Sequence, residues 1–491
     1  DVYEWYLDDR VRGHEFAYHD YPVNSLTIWG VQNWIVDFMV SYQPIADEQD
    51  AENYIARLAQ LDEWVAQLLE ELELRKKAGV VPPKYILLAS IAQVEGHLGR
   101  RPDGSFDVER IVLYDSFREK LAGADGIGAA EKERLLAAAE AEIKKTFVPA
   151  FGALRDYLQQ LTSEAGVDAG VWRLPEGEAY YAYLLRSQTG TEMRPDEVHE
   201  LGLAEVARIQ AEMQAAAAEM GYPAGISLAE LNERLWAEGG FLEGEALRAE
   251  YERLIAGAQA ASEAYFGQQP EAELVIEPEP FGSGLAYYVA PPLDGSGPGK
   301  FYTNLARPMV RFILPTVTYH ETVPGHHFQG ALAREAHLPT FRRALLFNAQ
   351  AEGWALYAEQ LAWEMGLYED DPLGNLGRLQ FELIRAARLV IDTGIHARGW
   401  TRSEAAAYYE EATGIQSSPA AMDRYVILPG QGCGYTIGLL KIRELRQRAM
   451  GRLGEAFDVK AFHEVLLGQG AMPLAILEQV VEDWIEVTLG Q

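Results

Sequence analysis

Residues 319–329 read Tyr-His-Glu-Thr-Val-Pro-Gly-His-His-Phe-Gln, which places three of the ten histidines of the chain within eight positions. The dipeptide His-Glu alone carries no weight, because it also occurs at His14, His199 and His463. Only the copy at His320 has further histidines close by. This stretch is therefore the first candidate for a metal site.

Zinc-dependent hydrolysis needs imidazoles and a carboxylate around the ion, an open position for water, and a second carboxylate that takes the proton of that water. The usual helical pattern is H-E-x-x-H, with the two histidines one turn apart. Here Pro324 stands where that pattern has its second histidine, and Gly325-His326 follow. The strict motif is absent. Without further support, a kinked helix with surface histidines is the plain alternative.

The stretch resembles the His-Glu-x-x-Pro-Gly-His-His motif of a large, mostly bacterial family, domain of unknown function 885. That family is similar to the zincin peptidases, among them angiotensin-converting enzyme, thimet-type oligopeptidases and thermostable carboxypeptidases, which carry His-Glu-x-Gly-His. The resemblance implies His320 and His326 as zinc ligands and Glu321 as the general base. It also implies a two-residue bulge before Gly325, which Pro324 favours because proline removes a helical hydrogen bond.

His327 is a rival to His326. In an unbroken helix its position seven residues after His320 would place both side chains on one face. Pro324 makes an unbroken helix the less favoured arrangement, so we expect His326 to be the ligand.

The third ligand is expected to be Glu352, which lies 26 residues after His326 and opens Glu-Gly-Trp-Ala-Leu-Tyr. The family carries a similar segment, and the apolar neighbours argue against an ordinary solvent-facing glutamate, because an unpaired buried carboxylate is costly. Glu359 follows two helical turns later. It either supports a metal ligand or lies on the surface.

Arg388, Asp392 and His396 recur every four residues and so share one stripe of a helix. A carboxylate often orients a metal-bound histidine, and the family shows a similar Asp-Thr-Gly-Ile-His. An Arg–Asp pair that holds helices together is the alternative.

Residues 424–435 resemble the Arg-Tyr-x-x-x-Pro-Gly-Gln segment of the family. Peptide hydrolysis builds negative charge on the carbonyl oxygen, and a tyrosine or arginine donor beside the metal lowers that barrier. Tyr435 is the first candidate for this donor and Tyr425 the second. Both are also ordinary core residue types, and Cys433 is expected to be a small packed residue.

Helical periodicity dominates the chain. Leu58, Leu61, Leu68 and Leu72 follow the spacing of a buried helix face. Thr401 with Glu404 predicts a capping box, and Gly414 a helix end.

Residues 270–324 differ, because they contain nine of the 23 prolines and short strand-like runs. These runs are Leu274–Glu277, Leu285–Ala290 and Phe301–Asn304. In the similar zincins an edge strand beside the metal binds the substrate backbone. Leu285–Ala290, with Tyr287 and Tyr288 on opposite faces, is the candidate, and a purely structural sheet is the alternative.

The net charge of −32 without a Lys/Arg cluster argues against nucleic acid as a partner. The sequence contains no run of about 18 apolar residues, so we predict no membrane span. The single cysteine, Cys433, fits a reducing compartment. We therefore expect a cytoplasmic protein, with an exported form as the alternative.

Together these features predict a mainly α, zincin-like fold with a small antiparallel sheet beside a central cleft. Residues 1–269 would form a helical lobe and residues 270–491 the metal-binding lobe, within one structural unit. The expected function is that of a Zn²⁺-dependent metallopeptidase acting on short peptides. The rival functions are hydrolysis of a non-peptide amide or ester at the same site, and peptide binding without catalysis.

Overall fold

The computed structural model describes residues 1–100, 107–279 and 286–490. Helices make up 69% of the structure and the strands form two small sheets, so the mainly α prediction is confirmed. Among the helices in these ranges, none combines the length and the apolar character that a membrane crossing requires.

The chain divides into two compact units. The smaller unit is Phe16–Gly177, and the larger unit combines Asp1–Glu15 with Glu178–Gln491. The boundary expected near residue 270 falls inside the larger unit. The reason is that a helix before that point, Pro195–Glu219, packs along a helix far beyond it, Pro372–Ala397.

The first helix of the chain, α1, belongs to the larger unit and spans Val2–Gly13. Seven α-helices follow in the described part of the smaller unit: α2 Val31–Asp37, α3 Glu48–Leu58, α4 Leu61–Lys77, α5 Lys84–His97, α6 Val112–Gly123, α7 Ala129–Glu142 and α8 Val148–Leu161. Leu58, Leu61, Leu68 and Leu72 are buried as their spacing predicts, although α3 ends and α4 begins between the first two.

The larger unit continues with α9 Gly177–Thr189, α10 Pro195–Glu219, α11 Leu228–Gly239, α12 Gly244–Ser262, α13 Leu314–Glu321, α14 His326–Glu335, α15 Thr340–Ala344, α16 Asn348–Glu364, α17 Pro372–Ala397, α18 Arg402–Thr413, α19 Asp423–Ile427, α20 Cys433–Leu453, α21 Val459–Leu467 and α22 Leu474–Leu489. The capping box of Thr401 and Glu404 is present at the start of α18. Gly414 ends that helix in the left-handed region, with a φ of 69°.

The strands are β1 Phe241–Leu242, β2 Leu274–Pro278, β3 Ala286–Val289, β4 Gly299–Thr303 and β5 Met309–Val310. β1 pairs with β5, and the other three form a sheet in the order β2-β4-β3. The expectation of an antiparallel sheet is wrong for one pair. β3 and β4 are antiparallel, but β2 and β4 are parallel, since the chain crosses from β2 to the far edge before it enters the middle strand.

Helices α16 and α20 cross at very short distance because glycines meet at the contact. A Cβ added to Gly353 of α16 would lie 2.4 Å from the backbone of Gly438 in α20. A Cβ on Gly438 would lie 1.9 Å from the carbonyl oxygen of Ala349. The crossing fixes the position of Glu352, next to one of these glycines, relative to the N-terminal turn of α20.

Gly438→Ala should destabilise the protein by about 1–3 kcal/mol, because the added methyl group has no room and the two helices must separate. Gly451→Ala is the matched control on the same helix, since a Cβ there meets nothing within 4 Å. The control should be neutral or stabilising, because alanine is the better helix former. Urea unfolding midpoints measure both changes, and equal midpoints would contradict the close crossing.

Candidate metal centre

His320 lies in the last turn of α13, which ends one residue later at Glu321. The helix packs against α12, α16 and α17, and the imidazole is buried. Its Nδ1 lies 2.7 Å from Oε1 of Glu359 in α16. A carboxylate accepts this hydrogen bond from Nδ1–H, which leaves the Nε2 of the neutral ring free to bind a metal.

The helix is interrupted completely between His320 and His326, whereas only a bulge was expected. α13 stops at Glu321 and α14 begins at His326, so residues 322–325 form a non-helical connection. Gly325 is required there, because a Cβ would lie 1.9 Å from the carbonyl oxygen of His320. The indole Nε1–H of Trp354 donates to the carbonyl of Pro324 at 2.9 Å and holds the connection against α16.

This break places the two neighbouring histidines in different surroundings. The ring of His326 lies 4.8 Å from that of His320, centroid to centroid. His327 is buried, and its Nδ1 lies 3.1 Å from the Tyr288 hydroxyl of β3. The structure therefore brings His326, and not His327, towards His320. The argument for His327 required an unbroken helix, which is absent.

Glu352 of α16 completes a group of three possible ligands, whose nitrogen and oxygen atoms all lie within 4.8 Å of one another. Its Oε2 is 3.6 Å from Nε2 of His320 and 3.5 Å from Nε2 of His326. This oxygen is buried and has no hydrogen-bond partner. Around a tetrahedral zinc ion with bonds of about 2.0–2.2 Å, ligand atoms are about 3.3–3.6 Å apart. The two distances and the donor set, two nitrogens and one oxygen, fit such an ion.

The protonation of these groups reflects their mutual attraction. Burial lowers the pKa of His320, but Glu352 and Glu359 outweigh it and raise that pKa to about 9. Burial acts to raise the pKa of Glu352, yet the two imidazoles hold it well below its usual range. A cation is thus favoured between these side chains, whether it is a proton or a metal ion.

Glu359 is buried and supports His320 from the side opposite Glu352. Besides the imidazole, it accepts a hydrogen bond from the hydroxyl of Thr316, and Nη2 of Arg385 lies 3.7 Å from its Oε1. Burial by itself would raise the pKa of Glu359, but Arg385 and His320 lower it, so the carboxylate is ionised. The surface alternative for Glu359 is therefore excluded by its burial. Thr316 and Arg385 were not identified from the sequence. Arg385 is a charged residue among the mostly apolar residues of α17, and this feature of the sequence could have identified it.

Glu321 directly follows His320 but is not one of the three grouped residues. Burial raises its pKa, while the two imidazoles act to lower it and Glu352 to raise it further. A carboxylate beside the ligands with a raised pKa has the properties of a general base.

Tyr435 lies in the first turn of α20, with its ring 6.5 Å from the ring of His320 at an interplanar angle of 12°. Two arginines also contact Tyr435. The guanidinium carbon of Arg388 lies 4.6 Å from its ring centroid, and Nη2 of Arg424 lies 3.5 Å from its hydroxyl. Tyr425 is also buried, in α19, and its carbonyl accepts a hydrogen bond from Nε2 of His396 at 2.8 Å. Tyr435 is thus the tyrosine that contacts a candidate ligand.

Asp392 and His396 contact the segment that leads into α20. The backbone amide of Gly430 donates to both oxygens of Asp392, at 2.9 and 3.0 Å, and the Tyr181 hydroxyl donates at 2.7 Å. His396 binds the carbonyl of Tyr425. Their contacts hold residues 425–430 in place, and the expected role beside a metal-bound histidine stays a prediction.

The sheet brings β3 to the same region, because β3 packs against α13 and α14. β3 is an edge strand that pairs with β4. Tyr287 stacks on Tyr302 at 4.9 Å, whereas Tyr288 faces His327. The two tyrosines thus point to opposite faces as expected. Leu285, the first residue of the expected strand, lies outside the described residues.

A profile of the family described as "Bacterial protein of unknown function (DUF885)" matches residues 1–481. The chain belongs to the DUF885 family. No curated protein matches it.

Solved structures include relatives of this DUF885 member. A proposed lipoprotein from Colwellia psychrerythraea is 36% identical, with a TM-score of 0.89 over 96% of this chain and 81% of that chain. A proposed lipoprotein of unknown function from Shewanella oneidensis is 18% identical, with a TM-score of 0.69 over 91% and 81% of the two chains, and therefore shares the fold. A proposed oligoendopeptidase F from Bacillus anthracis str. Ames, at 13% identity over 98% and 84% of the two chains, has a TM-score of 0.29, which is too low to establish a common fold.

In this DUF885 protein, His326→Ala should abolish stable zinc binding and His327→Ala should not, because His326 lies beside Glu352 whereas His327 faces Tyr288. Metal analysis after zinc loading and dialysis should give about one ion per chain for the wild type and for His327→Ala, and almost none for His326→Ala. The His327 variant should unfold more easily, since it leaves Tyr288 without its partner. The reverse pattern of zinc retention would show that the ligand assignment is wrong.

The raised pKa of Asp392 predicts that the stability of the protein depends on pH. Burial raises this pKa from 3.8 to about 7 despite the hydrogen bonds from Tyr181 and Gly430. Between about pH 4 and 7 the folded protein therefore binds more protons at this site than the unfolded chain, and stability falls as pH rises through that window.

Asp392→Asn cannot titrate at this position. The unfolding free energy of the wild type minus that of the variant should decrease by up to about 4 kcal/mol between pH 4 and 8. Urea titrations at several pH values measure this difference, in which the other titrating groups cancel. A constant difference across the range would contradict the raised pKa.

Proposed function

We propose that this protein is a zinc-dependent hydrolase of the metallopeptidase type that acts on short peptides. The observation that carries the proposal is the buried Oε2 of Glu352, which has no hydrogen-bond partner and lies 3.5 and 3.6 Å from two imidazole nitrogens. Three protein ligands with an open fourth position are the usual composition of a catalytic zinc site.

His320, His326 and Glu352 would hold the ion, and Glu359 would fix the ring orientation of His320. Nitrogen and carboxylate donors without a thiolate suit zinc among the common biological metals. When bound, zinc would act as a Lewis acid that polarises the scissile carbonyl and lowers the pKa of water.

Glu321 accepts a proton from the attacking water and passes it to the leaving amine. In sum, the hydroxyl of water adds to the carbonyl carbon, the C–N bond breaks, and the amine leaves with the proton. The Tyr435 hydroxyl donates a hydrogen bond to the carbonyl oxygen as negative charge develops there, and Tyr425 is the second candidate. The stacking of Tyr435 on His320 supports the first choice.

The edge strand β3 is proposed to bind the substrate backbone in extended form by strand addition. Among the described residues β3 pairs with β4 alone, and this one-sided pairing and the packing of β3 against α13 and α14 support the role. An extended peptide on β3 would run beside the helices that carry His320 and His326.

The name of the Colwellia psychrerythraea relative favours a different location from the one expected from the sequence. That relative, 36% identical, is called a proposed lipoprotein. We therefore propose that this protein acts outside the cytoplasm. Fractionation of cells that express the full-length gene tests this, and recovery in the cytoplasmic fraction alone would contradict it.

Glu321→Gln should reduce hydrolysis by about 10²–10⁴-fold, because the amide cannot accept the proton of water. Its zinc content should equal that of the wild type, since Glu321 is not a ligand. A peptide-library digest read by mass spectrometry, with bound zinc quantified in both proteins, measures the two properties.

Three other results would contradict parts of the proposal. Cleavage that survives in the variant would remove Glu321 from its role. A wild type that binds zinc but cleaves no peptide would indicate another amide or ester as substrate. A wild type that binds no zinc would indicate a binding protein.

A further inference from the structure

Arg388 of α17 has donors that the fold leaves unused. Its guanidinium carbon lies 4.6 Å from the centroid of the Tyr435 ring. Its Nε and Nη1 are buried and have no hydrogen-bond partner. Within residues 1–100, 107–279 and 286–490, no carboxylate forms an ion pair with it.

Stacking on Tyr435 does not satisfy these donors. The five N–H groups of a guanidinium lie in its plane, whereas a stacked ring covers only its face. A buried charge whose donors are unpaired is costly. A carboxylate forms two parallel hydrogen bonds along one edge of a guanidinium, through Nε and Nη2 or through Nη1 and Nη2. Each unpaired donor of Arg388 can take part in one such pair, so a planar anion is a suitable partner.

Arg388 differs from the two neighbouring arginines, because each of them has an oxygen partner within the protein, although Nε of Arg385 is also unpaired. Arg385 donates from Nη1 to the carbonyl of Phe381 at 3.2 Å and faces Glu359 with Nη2. Arg424 donates to the side-chain oxygen of Gln431 at 2.9 Å. Both add positive charge around Tyr435, so an anion beside Arg388 is attracted by three guanidinium groups.

Tyr435 joins this cationic group to the candidate metal centre. Its ring is 6.5 Å from the ring of His320 and 4.6 Å from the guanidinium carbon of Arg388. The guanidinium is therefore no farther from His320 than the sum of these distances. An extended peptide advances about 3.3–3.6 Å per residue, so a span of this length corresponds to about three residues between a bound anion and the scissile bond.

We propose that Arg388 binds the C-terminal carboxylate of the peptide substrate, so that the enzyme removes one to three residues from the C-terminus. This inference rests on the proposed peptidase function and adds its polarity and substrate class. A free carboxylate is present once in every unmodified peptide, whatever its sequence, and it can accept a hydrogen bond from an unpaired donor of Arg388.

The test uses a library of N-acetylated peptides in which every sequence is present as the free acid and as the C-terminal amide, with some amides carrying a Glu or Asp side chain near the end. The zinc-loaded wild type should cleave the acids at least about 30-fold faster than the matched amides. It should release one to three C-terminal residues. In Arg388→Met the ratio of acid to amide cleavage should fall to about one through a raised KM for the acids, with the zinc content of the wild type.

Arg398→Met is the matched control. It removes the same charge at the end of the same helix, but Arg398 is exposed and pairs with Asp196 and Glu200. This variant should keep the preference for acids. Equal cleavage of acids and amides by the wild type would overturn the inference and leave the peptidase proposal intact. Preference for the acidic side chains in the amides would overturn it as well.

A second readout does not depend on turnover. Immobilised Glu321→Gln protein should enrich the acids over the amides from the same mixture, and the double variant with Arg388→Met should not. If the wild type cleaves no peptide, the peptidase proposal fails, but this selection still decides whether Arg388 binds a terminal carboxylate. Equal retention of both forms would overturn the inference.

Discussion

A buried carboxylate that faces two imidazoles is the interaction on which the larger unit depends. Glu352 has no hydrogen-bond donor for its Oε2, and burial of a lone anion is costly. The two rings compensate electrostatically, which is why the pKa of Glu352 falls while that of His320 rises. The arrangement is most stable with a cation among the three groups, and this requirement ties together α13, α14 and α16.

The surrounding layers restrict how these side chains can move. Glu359 holds His320 from behind, and Thr316 and Arg385 hold Glu359. The glycine contact between α16 and α20 sets the distance from Glu352 to the turn that carries Tyr435. Asp392 anchors the preceding segment through the amide of Gly430. These contacts pair many of the polar groups around the site, whereas Oε2 of Glu352, Nε of Arg385 and two donors of Arg388 are buried without a hydrogen-bond partner.

Charge is distributed unevenly in the molecule. The chain has a net charge of −32, yet three arginines gather around Tyr435 near the candidate metal centre. The positive charge around Tyr435 would attract a small anionic ligand. A zinc ion and a guanidinium separated by a few residue lengths would bind a peptide end through two points, one at the reacting bond and one at its terminus.

The sequence by itself determined the helical class, the cap of α18 and its end at Gly414, because periodicity and capping are local properties. The three residues that meet at the candidate metal centre were expected from the resemblance of their motifs to those of the DUF885 family. The sequence did not determine that the helix breaks completely after Glu321, which follows from the backbone contact that only Gly325 permits. Nor did it reveal that Asp392 and His396 bind the 425–430 segment while Arg388 on the same stripe contacts Tyr435. Residues on successive turns of one helix face contact different neighbours, and those neighbours come from distant parts of the chain. Partners of this kind are decided by tertiary packing alone.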